Sequence, residues 1–129
     1  LLTARAPGAE EQRDISFGRE IARAIAGLRI GQTVVVKRRT VLAVESIEGT
    51  DATIRRGGAL GKGGVVVVKV GRPDQDMRFD LPVVGPDTVA ALEEAGATAL
   101  GLDADQTLML ERDRVMTTAD RLGLAIVAD

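Results

Sequence analysis

The segment Val65-Val66-Val67-Val68-Lys69-Val70 constrains this 129-residue chain more than any other. Four consecutive valines are β-branched and apolar on both faces, which predicts a central strand buried on both sides. Helical patterns around it supply the cover. Asp14 is placed to cap a helix reaching about Leu28, with Phe17, Ile21, Ile25 and Leu28 on one face. Gly85-Pro86-Asp87 starts a second helix with Pro at its first position. Val89, Leu92 and Ala95 of that helix face inward, and Gly96 closes it. A third runs over 113–122 and ends at Gly123. Strands over 33–37 and 40–45, joined by the short Arg38-Arg39 link, predict a hairpin. Further short strands are expected over 99–102, 108–110 and 124–127. Helices alternating with buried strands predict an α/β fold, a mixed β-sheet flanked by helices in a single domain. Residues 1–13 hold Ala6-Pro7-Gly8-Ala9 and no apolar period, and read as a linker.

Composition narrows the chemistry. Cys, His, Trp and Tyr are absent, and Phe occurs only at Phe17 and Phe79. Within this chain that removes disulfides, thiolate nucleophiles, Ser-His-Asp triads, zinc sites built on Cys or His, and imidazole acid–base chemistry. It also removes aromatic platforms for single-stranded nucleic acid, and a net charge of −2 argues against a duplex binder. No nucleic-acid partner is expected. Catalysis would rest on carboxylates, Lys and Arg and backbone dipoles, with or without a hard metal ion.

Five features are candidates for that chemistry. In Glu48-Gly49-Thr50-Asp51 a glycine turn feeds a short helix, presenting free amides, a hydroxyl and two carboxylates at one point. Arg55 follows Asp51 by four residues, on the same helix face. The pattern alone favours an ordinary cap and a surface ion pair. Asp76, Arg78 and Asp80 alternate with Met77, Phe79 and Leu81, putting acid, base and acid in a row on one strand face. Such a face could hold a magnesium ion and a phosphate, and pattern alone favours a solvated surface. Lys69 interrupts an apolar run, so it either ends the strand, the commoner case, or points into a polar pocket. The glycines over 57–64 invite a phosphate-loop reading, but the order helix, glycines, strand is reversed for one. They read as a mobile connection. Lys37-Arg38-Arg39 is most simply a solvated turn, with an anionic lipid surface as the weaker alternative.

Taken together, Val44-Glu45-Ser46-Ile47-Glu48-Gly49-Thr50-Asp51-Ala52-Thr53-Ile54-Arg55-Arg56-Gly57-Gly58, then Gly64-Val65 to Lys69, then Pro73-Asp74-Gln75-Asp76-Met77-Arg78-Phe79-Asp80-Leu81-Pro82 and Gly85 resemble one family. The likeness is to the C-terminal half of UDP-2,3-diacylglucosamine pyrophosphatases of the LpxI type, in the same order over most of 14–127. The resemblance implies an enzyme of lipid A synthesis in Gram-negative bacteria. Such an enzyme is cytoplasmic and peripheral at the inner membrane. It cleaves UDP-2,3-diacylglucosamine to UMP and 2,3-diacylglucosamine 1-phosphate (lipid X) by water attack on the α-phosphorus, with magnesium or another divalent cation.

It further implies that 1–13 is a linker from a missing N-terminal nucleotide-binding half. Residues 14–129 would then be a C-terminal catalytic and substrate-binding domain, inactive alone, with homodimerisation open. With no His, water must be activated by a carboxylate, by metal-bound hydroxide, or by both. Asp80 is expected to be essential, as metal ligand or water-orienting base, with Asp76 and Asp51 next. Asp76 and Asp80 are the metal candidates. Glu48, Gly49, Thr50, Arg55, Arg56, Lys69 and Arg78 are expected to bind substrate, the cations on the phosphate side. The rival reading is a non-catalytic ligand-binding or dimerisation module.

Overall fold

A computed structural model describes residues 1–72, 83–104 and 107–129. Along the chain lie α1 (Ala9–Gly27), β1 (Thr33–Lys37), β2 (Thr40–Val44), α2 (Thr50–Gly61), β3 (Val65–Lys69), β4 (Val83–Val84), α3 (Pro86–Ala95), β5 (Ala97–Leu102), β6 (Leu108–Met109), α4 (Arg112–Leu122) and β7 (Ala125–Ala128). The valine run becomes β3, the middle strand of a five-stranded sheet ordered β2-β1-β3-β5-β7. β1 runs antiparallel to both its neighbours, while β3, β5 and β7 are parallel. Every strand of this sheet except β1 therefore points the same way. A two-stranded parallel ribbon, β4 with β6, stands apart from it.

The period-two alternation of β3 divides the core. Val66 and Val68 join Val34, Val36 and the α1 residues Ile15, Ala22 and Ile25. Val65 and Val67 join Ile54 of α2, Val89 and Leu92 of α3, and Val115 and Ala119 of α4. All four valines of β3 are buried on these two sides. Each contributes roughly 1.5–3 kcal/mol relative to exposure. The mixed sheet flanked by helices expected from the sequence is the fold observed. Among the described residues no helix is long and apolar enough to cross a membrane.

Three local expectations need correction. First, α1 begins at Ala9 rather than at Asp14, and Glu11 accepts the Gly8 amide at 2.9 Å. Asp14 is instead buried and braces the β1–β2 hairpin. Its carboxylate accepts the backbone amides of Arg38 at 3.1 Å and Arg39 at 2.8 Å. Both arginines have positive φ, 50° and 56°, as a two-residue hairpin turn of matching twist requires. That conformation costs a non-glycine residue roughly 1–2 kcal/mol, and the buried carboxylate offsets it.

Second, the inward face of α1 is Ile15, Gly18, Ala22, Ile25 and Ala26, not the face through Phe17 and Leu28. A Cβ on Gly18 would lie 2.8 Å from Val68, so the helix comes closest to the sheet at its smallest residues. Phe17 and Ile21 pack at the flank, and Leu28 is exposed.

Third, α2 continues through Gly57 and Gly58 to Gly61, so most of the glycine stretch is helix rather than connection. A Cβ on Gly57 would stand 2.5 Å from Val35, and one on Gly58 2.4 Å from Ala95. These glycines let α2 approach β1 and α3 closely. Only Lys62, Gly63 and Gly64, all with positive φ, form the turn into β3.

The first residues lie along the outer edge of β7. The Leu2 amide donates to the Ile126 carbonyl at 2.8 Å, and the Ile126 amide donates to the Thr3 hydroxyl at 2.9 Å. Arg5 reaches Glu11, the Gly123 carbonyl and the Thr98 carbonyl.

Candidate functional site

The common direction of β2, β3 and β5 puts the elements that follow them at one edge of the sheet. α2 starts there after Gly49, α3 after Gly85 and α4 after Glu111. Open α/β sheets bind ligands outside the carboxyl ends of their strands. A cavity of about 600 Å³ opens at this edge. Its wall includes Glu48 to Ala52 at the start of α2, Gly85 to Thr88 at the start of α3, and Leu110, Glu111 and Arg114 around the start of α4. Lys69, from the end of β3, and Val83 complete it. The first amides of each helix lack intrahelical acceptors, and the helix dipoles place partial positive charge at these ends. Three such ends around one hollow favour an anion, and the carboxylates among them favour hydroxyl donors.

Lys69 answers the sequence alternative with both readings at once. It is the last residue of β3, and it lines the polar cavity while only 8% exposed. Its Nζ donates to the Val83 carbonyl at 3.0 Å. Burial pushes its pKa below the ordinary lysine value, and Glu45 and Asp51 partly restore it. The pair Thr33 and Thr50 shares a hydroxyl–hydroxyl hydrogen bond of 3.1 Å beside the α2 start.

The 48–51 corner is held from within. One oxygen of Glu48 accepts from the Thr53 hydroxyl and from Arg56, each at 2.9 Å, and from the Ser46 amide at 3.3 Å. The Thr53 and Arg56 bonds lower its pKa, in that order. Glu48 thus stays ionised as a brace for the turn, a poor proton acceptor for chemistry. Gly49 has φ +90°, a conformation that glycine adopts without strain. Asp51 lies in the first turn of α2 and Asp87 in that of α3.

Of the expected site residues, the structure gathers Glu48, Gly49, Thr50, Asp51 and Lys69 around one cavity. It does not bring Arg55 and Arg56 into that wall. Arg55 pairs with Glu94 of α3, and Arg56 turns back to Glu48 and the Val44 carbonyl. Asp76, Arg78 and Asp80 lie outside the described residues. Among the described residues no group of three Asp or Glu side chains is placed to hold a metal ion.

The family model for the LpxI C-terminal domain matches residues 1–127. This chain belongs to the LpxI C-terminal domain family. A curated relative, UDP-2,3-diacylglucosamine pyrophosphatase LpxI of Caulobacter vibrioides, is 38% identical over 130 residues. The aligned region covers 94% of this chain and 46% of that protein, so the chain spans a little under half the length of its relative. The family match includes residues 1–13, the segment tied to β7 and to the start of α1.

Sequence reasoning missed part of this LpxI domain's cavity wall, the stretch Gly85 to Thr88 and the residues Leu110, Glu111 and Arg114. Gly85-Pro86-Asp87 did announce a helix start, and a buried Thr88 follows it. The signal that these residues face the 48–51 corner is the parallel sheet order, which no local motif carries.

Proposed function

We propose that this LpxI C-terminal domain forms one wall of the active site of an enzyme that hydrolyses UDP-2,3-diacylglucosamine. The products would be UMP and 2,3-diacylglucosamine 1-phosphate, in lipid A synthesis at the cytoplasmic face of the inner membrane. One observation carries the reading: three helix N-termini and the buried Lys69 border the same cavity. A diphosphate needs charge stabilised on several oxygens while water attacks phosphorus. The first amides of α2 and α3 would bind phosphate oxygens, and Lys69 would add a charge that burial strengthens. Thr50 would donate its hydroxyl to the same group. Asp51 would accept a proton from water or a sugar hydroxyl. The other half of the protein would close the cavity and hold the nucleotide.

A divalent-cation requirement belongs to the same proposal. Its ligands would be Asp76 and Asp80, assigned by resemblance, with Arg78 on the phosphate side. The ion, when bound, would supply positive charge to the developing phosphate oxygens. The test is hydrolysis by the full-length protein, read as UMP release with and without magnesium. Asp80→Asn is expected to lower kcat at least a hundredfold with the circular dichroism of the parent. Lys69→Met is expected to lower kcat/KM at least tenfold. Near-parental rates in both variants, or undiminished hydrolysis in EDTA, would refute these assignments. Binding of the nucleotide sugar without any turnover would favour a non-catalytic module.

A further inference from the structure

The buried part of β1 is Thr33 followed by Val34, Val35 and Val36. A fourth valine would fill the first position with almost the same shape, yet a threonine stands there, fully buried. A hydroxyl taken out of water costs free energy unless it finds a partner. Among the described residues the partner of the Thr33 hydroxyl is the Thr50 hydroxyl, oxygen to oxygen 3.1 Å. Register sets Thr33 opposite Lys69 of β3, and antiparallel partners share a face of the sheet. Thr50 and Lys69 both line the cavity, while Thr33 stands next to them without lining it.

Burial decides which of the two hydroxyls donates. Each has one proton to give and two lone pairs to offer. If Thr50 gave its proton to Thr33, the Thr33 proton would be left in the interior with no acceptor among the described residues. The opposite order strands nothing. Thr33 donates to the Thr50 oxygen, and the Thr50 proton turns to the cavity, where a ligand oxygen can accept it. A hydrogen bond accepted by Thr50 also polarises its O–H, which strengthens the bond it makes to an anion.

We propose that Thr33 is a positioning residue, which holds the Thr50 hydroxyl with its proton aimed at a phosphate oxygen of the substrate. The inference rests on the proposed hydrolysis and on the part given there to Thr50.

The test uses the full-length protein, with UDP-2,3-diacylglucosamine as probe. The variants are Thr33→Val, Thr33→Ser, Thr50→Val and the pair Thr33→Val with Thr50→Val. Val keeps the shape and loses the donor, whereas Ser keeps the donor and loses a methyl group. Urea melts check that each variant folds and rank their stabilities. Thr33→Ala, read in the same two backgrounds, stands in for a Val variant that does not fold. Thr33→Val is expected to lower kcat/KM about fivefold, the weight of one hydrogen bond. Thr33→Ser should stay within about twofold of the parent, even where its melt shows the lower stability of the two. Thr50→Val should lower kcat/KM about tenfold, and adding Thr33→Val to it should cost less than about twofold, because the group that Thr33 orients is gone. Equal losses from Thr33→Val in both backgrounds would overturn the proposal. So would Thr33 variants whose activities follow their stabilities, or a folded Thr33→Val with the parental kcat/KM. Each of these results leaves the reaction standing. Full activity of Thr50→Val would remove Thr50 from the proposed reaction and overturn the part of Thr33 with it. A parent that does not hydrolyse the probe would overturn the reaction itself, and this inference too.

Discussion

Protonating Glu11 would loosen several contacts together. Its carboxylate pairs with Arg5 and accepts the Gly8 amide, while Arg5 also holds the Gly123 and Thr98 carbonyls. The Arg5 hydrogen bond is the largest cause that lowers the Glu11 pKa from 4.5 to about 2. A depressed carboxylate stabilises the fold above its unfolded pKa and loses that contribution as pH falls through the folded one. Glu11→Gln is therefore expected to be less stable than the parent at pH 7. The gap should narrow as pH falls from about 4.5 towards about 2. Urea unfolding at pH 7, 4 and 2.5 measures it, and a gap that stays constant across that range would contradict the pairing. At this scale the sequence is only partly legible. Lys69 could be singled out because a charge breaks an apolar run. Asp14 looked like a helix cap because Asp commonly caps, and its true partners, the Arg38 and Arg39 amides, lie in the next hairpin. Glu11 fell inside the stretch read as a linker, since its effect comes through an arginine that itself reaches residues more than ninety positions away.

The start of α3 and the ends of α3 and α4 were easier to read than helix packing. Pro86 at the first turn of α3, and Gly96 and Gly123 with φ +68° and +70° at the ends of α3 and α4, obey local rules that need no tertiary partner. The glycines of α2 do not. Gly57 and Gly58 looked like breakers, and the contacts that make glycine fit there belong to β1 and α3. Gly58→Ala is accordingly expected to destabilise by about 1–3 kcal/mol, since overpacking against Ala95 outweighs the gain in helix propensity. Gly27→Ala, at the exposed end of α1 with nothing within 4 Å of the new Cβ, is expected to stabilise by up to about 1 kcal/mol. Denaturant melts of the two variants read the difference. Equal effects of the same sign would mean that α2 does not approach α3 as closely as the structure has it.

For the molecule as a whole, β3 is the common wall of two cores, so opening it exposes both. Amide exchange in Val66–Val68 should require global unfolding, while β2, at the edge of the sheet, exchanges through local opening. Hydrogen-exchange measurements that found β2 as protected as β3 would contradict this hierarchy. The valine run made that layering legible from the sequence. The cavity was only half legible, because the starts of α2, α3 and α4 are far apart in sequence and meet only through strand order. That meeting has a consequence. Part of the pull on an anion comes from which way the backbone runs, and the formal charge of −2 does not register it. As long as the strands keep their heading, three helix starts bring partial positive charge to that rim, among its carboxylates.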